Sequence, residues 1–241
     1  MTVILIISKK MNSLISAAKA NRLFWLARYV ERVFLSLNAV KKYIDSDIDG
    51  SAESYKEFCG LLSIADSYAD AKDFRKKFLY DKAAVSSVYR MLVNAFDNGI
   101  ELREDITSES LSYIHLAMEV MEKCFVNSAR LSDLQPVSDY MLSFWGSIDE
   151  NVITLPKMNI LRLGRRLETI DINVRLRTDW DSINETLKGG ILTNVNMLPS
   201  VTDKDKALRL KELVESHSGE NHGEDCAEII ACINQVFTAR L

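Results

Sequence analysis

The sequence predicts an all-α protein, an elongated multi-helix bundle built from two pseudo-repeated halves. Three observations carry that expectation. Glycine (9) and proline (3) are scarce in a 241-residue chain that is 47% hydrophobic, whereas sheets and loop-rich folds need turn residues at regular intervals. Apolar residues recur at helical spacing along most of the chain, with no convincing strand alternation. One stretch, residues 20–41, returns in altered form near residue 160.

The elements follow in order. Over 13–43, Leu23, Leu26, Ala27, Val30, Phe34 and Leu37 keep the helical period. A polar segment with Gly50 ends that helix, and Ser51 is placed to cap the next, over 51–68. Residues 72–80 form a short basic-aromatic turn or helix. A helix over 83–104 follows, then a break at 105–108 where Thr107 or Ser108 can cap a helix over 109–129. Residues 134–148 continue the pattern, with Pro136 in the first turn. Pro156 opens a long helix that reaches Gly189 and Gly190. Two weaker helices, 202–216 and 224–240, close the chain. Residues 1–10 are expected to lie outside a single domain of 11–241, with halves at about 11–149 and 150–241. The apolar run at 3–7 is a strand at most.

Composition excludes some functions. A net charge of −4 speaks against nucleic acid, whose binders carry a basic excess. No apolar run approaches the roughly 20 residues of a membrane span. Cys59, Cys124, Cys226 and Cys232 form no C-x-x-C pair, which points to thiols in a reducing compartment, the cytoplasm. His217, His222, Cys226 and Cys232 match no zinc spacing, so no metal site and no cofactor is expected.

The repeat carries the chemistry. In residues 23–38 and 160–175, Leu26 meets Leu163, Ala27 meets Gly164, Arg28 meets Arg165 and Glu31 meets Glu168. A small residue, an arginine and a glutamate thus stand on one helical phase twice, in matching apolar frames. At about 100° per residue, both glutamates fall between apolar patches. A carboxylate buried there needs a cation or several donors. Arg28 and Arg165, three residues back, are within reach and have the planar fork that fits one. A third polar cluster, Asn98, Arg103, Glu104 and Glu109, is either a charged helix corner or a third wall of a shared pocket.

These stretches together resemble the bacterial alpha-E domain family. The first motif stands as NRLFWLARYVER at 21–32, the middle one as FLYDKAAVSSVYR at 78–90 with NGIELREDITSE at 98–109, and the last as ILRLGRRLET at 160–169. The resemblance spans residues 11–180. This chain departs from the pattern at Ala27, Ile100, Leu111 and Thr169, the last replacing the arginine of the second Glu-Arg pair. The resemblance implies a partner of circularly permuted ATP-grasp proteins and a setting of peptide or amide-bond modification. The leading expectation is therefore an accessory or co-catalytic partner of an ATP-grasp-type ligase. Arg28, Glu31, Asn98, Arg103, Glu104, Arg165 and Glu168 would line a pocket for a peptide or amino-acid substrate. Two alternatives stand beside it. One is a stand-alone enzyme using Glu31 and Glu168 as acid and base; the other is a structural module in which the Arg/Glu pairs are braces.

Overall fold

The computed structural model describes residues 15–48, 54–126, 130–152, 154–178, 180–188, 190–216 and 224–239. Regular structure among them is helical, apart from one antiparallel bridge between Thr202 and Phe237. The expectations placed on residues 1–10, Ser51, His217 and His222 fall outside the described residues.

Two helices organise the rest. α1 (Ala17–Ile48) buries Leu23, Leu26, Ala27, Val30 and Leu37 completely. α2 (Ser54–Leu61) and α3 (Ala71–Tyr80) then pack Tyr55, Phe58, Phe74 and Phe78 into an aromatic cluster. Ser87 caps α4 (Val88–Glu101), and Thr107 caps α5 (Ser108–Val126) by accepting from the Ser110 N–H. A 3₁₀ turn (Leu131–Leu134) leads into α6 (Gln135–Asn151) with Pro136 in its first turn. α7 (Leu155–Arg175) is the second long helix, and it buries Leu161, Leu163, Leu167 and Ile170. α8 (Trp180–Lys188), α9 (Ile191–Met197), α10 (Lys204–Ser216) and α11 (Glu224–Val236) follow.

α1 and α7 lie side by side and run the same way. Near their starts, Lys19 and Lys157 both reach Asp105, at 2.9 and 2.6 Å. Further along, Arg32 and Ser36 line one cavity with Ile172 and Arg175. A parallel pair needs a long return path, and α2–α6 supply it. Phe237, just after α11, stacks on Phe24 at 4.0 Å and ties the tail to α1.

Two helices end earlier than the periodicity predicts, and for one reason. The helix expected over 51–68 stops at Leu61, and the one expected over 156–189 stops at Arg175 and restarts at Trp180. At both ends a residue with positive φ follows the cap, Ser63 at 57° and Arg177 at 51°. Ser63 N–H then donates to Gly60 and Ile64 N–H to Cys59; Arg177 N–H donates to Val174 and Thr178 N–H to Asn173. This is the Schellman closure, usually built on glycine. Here serine and arginine fill the left-handed position, so the sequence carries no glycine signal there. The helix expected over 83–104 likewise shortens at both ends, beginning after the Ser87 cap. No helix among the described residues is long and apolar enough to cross a membrane.

Candidate functional site

The site starts from a close approach. A Cβ built on Gly164 would meet the Phe24 carbonyl oxygen at 2.7 Å and the Ala27 Cβ at 3.0 Å. Gly164 and Ala27 are the matched small residues of the repeat. Their lack of bulk lets the two backbones touch, and the side chains one turn on then reach across rather than along their own helix.

The result is an exchange of partners. Arg28 Nε donates to Glu168 Oε2 at 2.5 Å, and Arg165 Nε donates to Glu31 Oε2 at 3.1 Å. The residue after each glutamate also crosses. Arg32 donates to both oxygens of Glu168, through Nε and, at 3.0 Å, through Nη2; Thr169 Oγ1 donates to Glu31 Oε1 at 3.1 Å. Reciprocal contacts of this kind are the mark of a two-fold relationship. The i,i+3 reach expected within each helix is replaced by pairing between the two copies.

The two halves of this exchange differ. Around Glu168 the cluster is closed. Glu168 is 0% exposed, Arg28 2% and Asp171 3%. Asp171 accepts from Arg28 Nη2 at 2.7 Å and from Arg175 Nε at 2.6 Å. The Arg28 guanidinium also lies over the Phe24 and Trp25 rings. Burial alone would raise the Glu168 pKa, but the charges of Arg28 and Arg32 outweigh it and hold the carboxyl below its usual range.

Around Glu31 the cluster is open. The Glu31 side chain is 6% exposed and meets one guanidinium, Arg165, whose side chain is 36% exposed. Trp145, on α6, donates its Nε1 hydrogen to Glu31 Oε2 at 3.0 Å, and Arg165 lies 4.6 Å above the Trp145 ring. Burial pushes the Glu31 pKa up, only partly offset by Arg165, Thr169 and Trp145. Beside it lies a cavity of about 520 Å³ that Arg162, Arg165, Arg166, Asp149 and Thr169 help to line. Arg162 pairs with Asp149 at 3.0 Å. Arg166 donates to the neutral Asn194 carbonyl oxygen, and burial together with nearby Arg162 and Arg165 lowers its pKa. Among the described residues the cavity thus holds three guanidiniums against two carboxylates and can accept an anion.

The mid-chain residues stand elsewhere. Asn98 donates to the Asn94 carbonyl of its own helix. Arg103 and Glu104 are exposed at the α4–α5 corner, as is Glu109 on the first turn of α5; none of the four is a partner of Glu31 or Glu168. The residue of this segment that turns inward is Asp105, between Lys19 and Lys157, which hold its pKa low against the burial that raises it. Sequence reasoning brought Arg28, Glu31, Arg165 and Glu168 together and missed the parts of Arg32, Asp171 and Trp145. Asp171 and Arg175 carried a signal, an i,i+4 pair on the face of Glu168. Trp145 carried none, because its contact spans 114 residues.

Duplicated parallel helices that exchange Arg, Glu and the residue after it define an all-α domain built on a Glu-Arg crossing. The family model that matches residues 16–200 is Alpha-E, described as a predicted alpha-helical domain with a conserved ER motif. The chain belongs to this family. Its single Glu-Arg dipeptide is Glu31–Arg32, the pair whose members serve opposite halves of the crossing. No curated protein and no solved structure matches the chain.

Proposed function

We propose that this chain is an accessory helical partner of an ATP-grasp-type amide or peptide ligase in the bacterial cytoplasm. In that role it holds a peptide or amino acid by its carboxylate. The observation that supports the reading is the asymmetry of the crossing. The Glu168 half is sealed and acts as a brace, whereas the Glu31 half opens on a cavity with Arg162, Arg165 and Arg166. Glu31 already accepts from Arg165, Thr169 and Trp145, so its task is to aim Arg165. The arginines then present forked donors to a carboxylate. The family resemblance supports the ligase setting; nucleotide chemistry would belong to the partner.

Calorimetric titration with trialanine tests the binding. Trialanine is expected to bind, and trialanine amide to bind at least about tenfold more weakly, as is trialanine to Arg166→Gln. Equal binding of acid and amide, or no binding of trialanine, refutes it. The partner role is tested with an ATP-grasp protein from the same genome. Ligase turnover that neither needs this chain nor responds to Arg166→Gln contradicts it.

A further inference from the structure

A second cavity, also of about 520 Å³, opens beside the sealed half of the crossing. It shares no lining residue with the Glu31 cavity. Arg32 and Arg175 reach it, each from a helix of the parallel pair.

The charges behind it do not balance. Arg28, Arg32 and Arg175 hold two carboxylates, Glu168 and Asp171. Among the described residues one positive charge is left over, and a charge in a partly buried cluster is costly without a counter-ion. It faces the cavity. Arg32 uses Nε and Nη2 on Glu168, and Arg175 uses Nε on Asp171 and Nη1 toward Ser63. Toward the described residues, Arg32 Nη1 and Arg175 Nη2 make no hydrogen bond. The two guanidiniums are neighbours, since both approach Asp171, at 4.0 and 2.6 Å. None of the described side chains lining this cavity is acidic, and Ser36, Ser63 and Ser86 add hydroxyl groups. The remaining wall is apolar, with Leu62, Ile64 and Ile172.

We propose that this cavity is a second binding site, for a small organic carboxylate with an apolar body. One carboxylate supplies the single missing negative charge. Its two oxygens suit the unused donors of Arg32 and Arg175, because guanidinium forks match carboxylates. The apolar wall takes the body of the ligand, a surface that a bare inorganic anion would leave unused.

The test is a titration with 4-phenylbutyrate, followed through the methyl signals of Ile64 and Ile172. Both are expected to shift, and 4-phenylbutanol and inorganic phosphate are each expected to bind at least about tenfold more weakly. Arg175→Gln is expected to weaken 4-phenylbutyrate by a similar factor. Ala65→Trp fills the cavity from its exposed rim and leaves the ion pairs intact, so it is expected to abolish binding in a folded protein. Arg166→Gln leaves this site unchanged, which separates it from the Glu31 cavity. No methyl shift, equal binding of the alcohol, phosphate binding as tight as 4-phenylbutyrate, or full binding to Ala65→Trp would each overturn the proposal.

Discussion

Glu168→Gln is expected to be far more damaging than Glu31→Gln, although the two residues are matched positions of one repeat. Glu168 is fully buried and holds Arg28 at 2.5 Å and Arg32 through a two-point fork. Removing its charge leaves Arg28, itself 2% exposed, with Asp171 as its remaining acid. Breaking a buried pair in this way costs about 3–5 kcal/mol. For a chain of this size each kcal/mol lowers Tm by about 2–4 °C, so the expected fall is roughly 6–20 °C. Glutamine at 31 keeps an oxygen for Trp145 and Arg165 and can donate its amide to Thr169 Oγ1; the charge it loses is one that burial disfavours, so the change is about 1 kcal/mol. Urea denaturation of both variants at neutral pH, followed by far-ultraviolet circular dichroism, measures the difference. Equal losses, or a larger loss for Glu31→Gln, would refute the division into a sealed and an open half.

The same two carboxylates set opposite pH dependences. Glu168, with a lowered pKa, contributes stability above its ordinary value of 4.5 that is lost as pH falls through its folded value. Glu31, with a raised pKa, contributes stability fully present below 4.5 and lost as pH rises through its folded value. Unfolding free energies between pH 3 and 8 are therefore expected to lose the acid limb in Glu168→Gln and the upper limb in Glu31→Gln. Gly164→Ala is expected to cost about 1–3 kcal/mol by forcing α1 and α7 apart. Gly146→Ala, with nothing within 4 Å of the added Cβ, should gain about 0.5–1 kcal/mol; urea titration reads both. Thr169→Arg gives Glu31 the second guanidinium that Glu168 already has. It is expected to lower the Glu31 pKa, read by carboxylate carbon shifts.

Much of this was legible because burial leaves a trace in sequence. The apolar frames around Glu31 and Glu168 placed both carboxylates inside, and the small residues Ala27 and Gly164 marked a shared position. The exchange between copies was not legible. An Arg three residues before a Glu fits pairing within a helix as well as pairing across one, and the choice depends on how closely two backbones approach. Gly164 decides that, but its contact with the Phe24 carbonyl joins residues far apart in the chain. The early ends of α2 and α7 were hidden because Ser63 and Arg177 occupy positions where glycine would have announced a stop. In the segment 97–109, charge alone could not separate Asp105, held inside by two lysines, from Arg103 and Glu104 in solvent.

The exchange itself is open to a direct measurement, a pair of double-mutant cycles on Arg28. Arg28→Met combined with Glu168→Gln is expected to show a coupling of about 2–3 kcal/mol, and Arg28→Met with Glu31→Gln one below about 0.5 kcal/mol. The reverse order, with Arg28 coupled to Glu31 of its own helix and indifferent to Glu168, would contradict the crossing on which the sealed brace and the open cavity both depend.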